Sequence, residues 1–279
     1  MKKFGGVLGC LLAITLVACT TSGRKPAPDH QPVLETLPAP SFATVPPSPA
    51  REASFEVLST QPNQITDRDA WFSANNLVPK HSEPESAPAG IPRFWDGNNL
   101  IQVIHGSDST LAVYGPDLSG GRLLIALDPE TGAFKYGFDF SNFEQPPGVP
   151  ENDLTAQRLL WAAEKDGTLY VSNSHRTYAK ESGGQNAYLT AIDLGMGEIR
   201  WRTGPLIANA STFEVLNSVI VTGYGFTAEP DFVYLIDRES GAVVASQKVK
   251  SAPEIILAKD GKIFVRCYDT DVVLSAPDR

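Results

Sequence analysis

A-L-D-P-E-T-G from Ala126 to Gly132, A-I-D-L-G-M-G from Ala191 to Gly197 and L-I-D-R-E-S-G from Leu235 to Gly241 are three copies of one segment. Each runs from an apolar strand into an Asp, with a Gly four residues on, and each lies downstream of an apolar, turn, apolar unit. A second mark sets the register: Leu111-Ala112-Val113, Leu169-Tyr170-Val171, Val219-Ile220-Val221 and Ile263-Phe264-Val265 begin 58, 50 and 44 residues apart. The two longer intervals hold loop-like insertions at Ser141 to Ala156 and Lys180 to Asn186. Without them the period is near ~44 residues, in the range of propeller blades. A polar turn precedes each triplet, Asp166-Gly167 and Asp260-Gly261 among them, and Asp-Gly between alternating apolar runs is a strong hairpin signal.

One unit therefore reads as four strands, in the second copy Leu159 to Ala163, Thr168 to Asn173, Ala187 to Asp193 and Glu198 to Thr203. A lone four-stranded sheet cannot bury both faces, so the units must stack, and a radial arrangement protects their edges. The expected fold is all-β, a β-propeller with about four blades. The fourth copy shows only three strands before the chain reaches Arg279, and Ser54 to Ser59 is a candidate to complete it from the N-terminal side. A fifth, degenerate blade within Thr60 to Leu100, or an open arc, are the alternatives.

The copies carry a family resemblance. Ala191, Asp193, Gly197 and Trp201 match the A-x-D-x-x-T-G-x-x-x-W blade signature of quinoprotein dehydrogenases and their PQQ-like relatives. Asp128, Thr131 and Gly132 repeat it with Tyr136 at the aromatic position, and Asp237, Ser240 and Gly241 repeat it with Ala245 there. These residues suit structure: Asp with Thr or Ser satisfies turn amides, Gly supplies φ > 0, and the aromatic packs between blades. For the dehydrogenases the resemblance implies PQQ in a central channel, with Ca²⁺, a catalytic Asp and often an adjacent-cysteine disulfide. Here the blades are too few and the mature chain has one unmodified cysteine, so the expectation is no cofactor. The chain also resembles the propeller lipoprotein of the outer-membrane β-barrel assembly machinery, which implies a protein partner.

The N-terminus reads as an export signal. Lys2 and Lys3 precede an apolar run from Phe4 to Ala18, and Leu16-Val17-Ala18-Cys19 matches the lipobox of bacterial lipoproteins. Residues 1–18 are then the signal peptide and Cys19 the lipidated residue, its acyl chains holding the protein in the bacterial envelope. Thr20 after the Cys, in place of Asp, favours the outer membrane. Residues 19–53, rich in proline, read as an extended tether. Residues 54–98 form an N-terminal segment with the closing strand and a short helix over Asp67 to Leu77 carrying Trp71 and Phe72, and residues 99–279 form the propeller.

Charge and chemistry narrow the function. The chain has net charge −9; removing residues 1–18 takes away two lysines and no acid, leaving 21 basic and 32 acidic residues, net −11. Such a surface disfavours nucleic acid and does not help binding to anionic lipid. His30, His81, His105 and His175 show no ligand spacing, so no metal site is expected. No sequence motif marks a catalytic residue, and Cys267 reads as a buried structural thiol. In an up-and-down blade the second-to-third and blade-to-blade connections share one face. That face receives the long loops, Tyr114 to Arg122, Asn173 to Asn186, Gly223 to Asp231 and Asn142 to Thr155. Phe143, His175, Arg176, Tyr178, Tyr224 and Phe226 are its candidate recognition residues. The reading is a lipid-anchored, non-enzymatic protein-binding scaffold; the alternative is an envelope enzyme or a carbohydrate or small-ligand module using this face or the channel.

Overall fold

A computed structural model describes residues 32–43, 55–63 and 68–276. Residues 1–18, read above as a signal peptide, and Cys19 lie outside these residues. Strands β1 (Glu35–Thr36) and β2 (Val57–Pro62) precede helix α1 (Arg68–Ala74) and the short strands β3 (His81–Ser82) and β4 (Phe94–Trp95). The first blade is β5 (Asn98–His105), β6 (Thr110–Gly115), β7 (Leu123–Leu127) and β8 (Phe134–Asp139), followed by α2 (Ser141–Glu144). The second is β9 (Arg158–Lys165), β10 (Thr168–Ser174), β11 (Tyr188–Asp193) and β12 (Glu198–Arg202). The third is β13 (Glu214–Val215), β14 (Val219–Tyr224), β15 (Phe232–Asp237) and β16 (Val243–Lys248), and the fourth opens with β17 (Pro253–Lys259), β18 (Lys262–Cys267) and β19 (Thr270–Ser275).

Each blade is an antiparallel meander, and β2 completes the fourth by pairing with β19, Val57 opposite Leu274 and Pro62 opposite Thr270. The chain is a β-propeller of four blades among the described residues. Among the described residues between 60 and 100 no fifth blade forms, because β3 and β4 pair with β5 and join the first sheet. Burial shows why the blades must stack. Every residue of β10 is buried, so both faces of the second blade are covered, whereas its outer strand β12 is half-exposed. Side chains of blades one, two and three form one apolar cluster, and Val221, Val233 and Leu235 of blade three pack with Ile256, Ile263 and Val265 of blade four.

The repeated Asp-to-Gly segment is the turn between third and fourth strands. Asp128 Oδ1 accepts from the Thr131 amide (2.7 Å) and hydroxyl (2.7 Å), and Asp237 Oδ1 from the Ser240 amide (2.8 Å) and hydroxyl (2.6 Å). Asp193 takes the amides of Gly195 and Met196. Gly132, Gly197 and Gly241 all sit at φ near +70°, and a β-bulge lies just before the Asp in each hairpin. The aromatics cross to the next blade. Trp201 Nε1 donates to the Arg238 carbonyl (3.1 Å), and a Cβ on Gly241 would lie 2.5 Å from its ring. Tyr136 donates to Glu164 of blade two (2.7 Å).

Two N-terminal pieces depart from a simple stack of blades. The proline-rich stretch is not a free tether throughout. Within residues 32–43, β1 pairs in parallel with β8, Leu37 is fully buried, and Phe42 meets the Tyr188 ring edge-on at 5.7 Å. Proline composition concealed the three apolar side chains Leu34, Leu37 and Phe42 that dock this strap. Phe42, Phe143 and Tyr188 surround the Arg202 guanidinium at 5.1, 5.1 and 4.2 Å, and burial pulls its pKa down to about 9. The second piece, α1 to β4, is a plug that covers the faces of blades four and one left free by their neighbours and reaches the inner strands of blades two and three. Trp71, Phe72 and Leu77 pack on Ile255 and Leu257 of blade four, β3 pairs with β5 of blade one, His81 meets Trp161 of blade two edge-on at 5.8 Å, and Lys80 bonds Glu214 of blade three at 2.7 Å.

Candidate functional site

Beside the plug is a cavity of about 630 Å³ to which the first strands of blades one, two and four and the Ser211–Thr212 entry to the third all contribute. Gln102, Trp161, Thr212 and Glu254 are among its lining residues. The inner strand edges are already occupied. Gln102 Nε2 donates to the Leu160 carbonyl (2.8 Å), and Thr212 Oγ1 both accepts from the Ile256 amide (2.7 Å) and donates to its carbonyl (2.8 Å). Trp161 is 2% exposed and offers no open ring face to a sugar. Lys80 faces Glu214, whose carboxyl burial pushes up against the opposing pull of the ammonium.

The cavity opens among the second-to-third loops, and these form a built surface. In the second blade, Asn186 Oδ1 accepts from the Ser174 hydroxyl and the His175 amide, both at 2.9 Å. His175 is 3% exposed, its Nε2 lies 2.7 Å from Ser182 Oγ, and burial holds its pKa down to about 4. Glu229 of the third-blade loop takes the Ala179 amide (2.9 Å) with one oxygen and the Tyr224 hydroxyl with the other. The Tyr178 and Phe226 rings meet edge-on at 5.0 Å, so two neighbouring loops present one surface. Asn209 brackets Gly225, giving an amide hydrogen to its carbonyl (2.8 Å) and accepting its N–H (3.1 Å).

The six expected recognition residues therefore divide. Arg176, Tyr178 and Phe226 reach the surface. Phe143, His175 and Tyr224 do not: Phe143 is fully buried against Phe140, Tyr224 is 2% exposed, and His175 is the internal clamp just described. Phe143 lies in α2, which folds the long interblade connection inward and delivers Glu144 to Arg122 (2.6 and 2.9 Å) and to Arg158. Sequence reading missed Leu118 and Tyr268, 77% and 76% exposed in the second-to-third loops of blades one and four. Their position in the repeat was the available signal, since register places one large apolar residue at the same loop of every blade: Leu118, Tyr178, Phe226 and Tyr268. Cys267 is fully buried, and its thiol is pushed up to about 12, by burial first and then by Asp271.

His175 is expected to make the loop scaffold pH-dependent. Because its folded pKa is depressed to about 4 from 6.5, its contribution is intact above pH 6.5 and is lost as pH falls toward 4. At about 1.4 kcal/mol per pKa unit the loss reaches roughly 3 kcal/mol. Urea unfolding across this range is expected to show that decline, and His175→Gln is expected to flatten it.

No protein-family model matches this chain, and no curated protein matches it. Among solved structures, the computationally designed Ika4 protein is similar over 63% of this chain and 89% of its own, at 11% identity and TM-score 0.40. BamB from Moraxella catarrhalis is similar over 70% of this chain and 61% of its own, at 11% identity and TM-score 0.33. A quinohemoprotein alcohol dehydrogenase from Pseudomonas putida is similar over 58% of this chain but only 27% of its own, at 16% identity and TM-score 0.37. The propeller assignment stands on the sheets themselves.

Proposed function

We propose that this protein is a lipid-anchored scaffold of the bacterial envelope, most consistent with the outer membrane, held through Cys19 and binding a protein partner on its loop-rich face without doing chemistry itself. The observation that carries the reading is the set of one large apolar residue per blade, Leu118, Tyr178, Phe226 and Tyr268, in equivalent loops on one face, with Leu118 and Tyr268 more than three-quarters exposed. Apolar side chains in the corresponding loop of each blade suit protein recognition, because burying them releases water. The alternative, a ligand or substrate in the channel, finds less support: Trp161 is buried and the inner strand edges are already bonded.

The test is purification of the intact lipidated protein from its own membranes beside a Leu118→Ser, Tyr178→Ser, Tyr268→Ser variant. The expected result is a stoichiometric protein bound to the native chain and depleted at least tenfold by the variant, whose thermal unfolding stays unchanged. A partner that binds both equally, or no partner at all, removes the recognition face and turns attention to the cavity.

A further inference from the structure

The opposite face carries a different chemistry. The first-to-second hairpin turns lie at the other end of the second strands from the loops above, and six-residue strands such as β14 and β18 separate the two ends by roughly 20 Å. There, the tips of three blades converge on an open groove of about 400 Å³: Lys165 from blade two, Asn217 and Ser218 from blade three, and Lys259, Asp260 and Lys262 from blade four.

The charge in this groove is out of keeping with the molecule. Among the described residues, Lys80, Lys135, Lys180 and Lys250 each stand within ion-pair distance of a carboxylate. Lys165, Lys248, Lys259 and Lys262 make no such pair there, and three of these four line the one groove. Lys165 Nζ gives one hydrogen to Asn217 Oδ1 (3.4 Å) and Lys259 Nζ gives one to the Asn76 carbonyl. Each ammonium thus keeps donors to spare, and both partners are neutral. Three ammonium groups against one carboxylate, Asp260, leave this groove net positive in a chain of net charge −9, a self-repulsion that an anion in the groove would reduce. An ammonium binds phosphate oxygens as a point charge without needing the planar fork of arginine, and Asn217 and Ser218 add neutral donors beside it.

We infer that this groove is a phosphate site, taking a phosphate group from an anionic lipid headgroup or from solution onto Lys165, Lys259 and Lys262. It lies away from the recognition face and stands or falls independently of partner binding there, while its headgroup source rests on the proposed anchoring at Cys19.

The test follows amide hydrogen exchange in the full lipidated chain held in nanodiscs. One arm adds inorganic phosphate to phosphatidylcholine discs, and the other uses phosphatidylglycerol discs without added phosphate. Exchange at residues 217–218 and 260–262 is expected to slow at least threefold in one or both arms, and the protection is expected to fade with added salt. Protection with phosphate alone assigns a soluble phosphate, and protection with phosphatidylglycerol alone assigns a headgroup. Lys165→Gln with Lys259→Gln and Lys262→Gln should abolish it, whereas Lys248→Gln, the same charge change outside the groove, should leave it intact. If the triple variant does not fold, Lys262→Gln alone, at the exposed first residue of β18, should still weaken the protection measurably. No protection in either arm, or protection that survives these lysine changes, overturns the site.

Discussion

Replacing Glu144 with alanine is expected to lower the unfolding free energy by about 3–5 kcal/mol, the range for removing one partner from a buried ion pair. Glu144 ends α2 with its side chain 14% exposed and receives two hydrogen bonds from Arg122 and one from Arg158, whose own side chain is 7% exposed. The carboxylate raises the Arg122 pKa, chiefly through the hydrogen bonds. Without it, the buried Arg158 guanidinium and the Arg122 guanidinium, whose side chain is 35% exposed, are left facing each other between blades one and two. Arg158 Nε already lacks an acceptor there. Glu144→Gln keeps the shape and removes the charge, so it should recover only part of the loss. Breaking the surface pair Lys180–Glu181, with side chains 76% and 51% exposed, should cost under about 1 kcal/mol. Urea unfolding of the three variants gives the comparison. Glu144→Ala within 1 kcal/mol of the native chain would mean that water reaches the junction and the triad does not hold the blades.

The repeat was legible because its turn chemistry is local. Asp128, Asp193 and Asp237 satisfy amides within three residues of themselves, and left-handed glycines follow at fixed spacing, so the pattern survives even when the strands between diverge. Trp201 and Tyr136 were also readable as interblade contacts, since the repeat places an aromatic where the next blade must lie. What the sequence could not show was long-range docking. Leu37 and Phe42 sit in a stretch whose prolines argue for extension, and extension is kept: β1 is a strand, but one that finds the open edge of β8. The same limit explains the recognition residues. Loop membership predicted exposure for Phe143 and Tyr224, yet each loop folds its largest side chain inward to cover blade ends, leaving Tyr178 and Phe226 outside. Position within the repeat, not composition of the loop, was the better guide to the face.

The plug offers the second large effect. Trp71→Ala is expected to cost about 3–5 kcal/mol, the usual loss for truncating a buried aromatic. The α1 helix has only seven residues, too few to be stable alone, so it exists because Trp71 and Phe72 bury their rings against each other at 5.3 Å and against Ile255 and Leu257 of blade four. The Arg266 guanidinium lies 5.9 Å from the Trp71 ring centre. Losing the indole removes apolar burial and leaves a cavity on the inner strand of the last blade, the blade that depends on β2 from the far end of the domain for its fourth strand. The effect should then travel: α1 leads through Lys80 to Glu214 and through His81 to β5, so amide exchange should rise at residues 80–82 and 214–215 as well as within the helix. Trp71→Phe should retain part of the stability, and Val78→Ala, at a side chain 76% exposed, should change little. Exchange confined to residues 68–74, with a cost below 1 kcal/mol, would show that the plug rests on the blades without bracing them. Loss spread over plug and inner strands together would make the plug the element that ties the four blades about their common cavity.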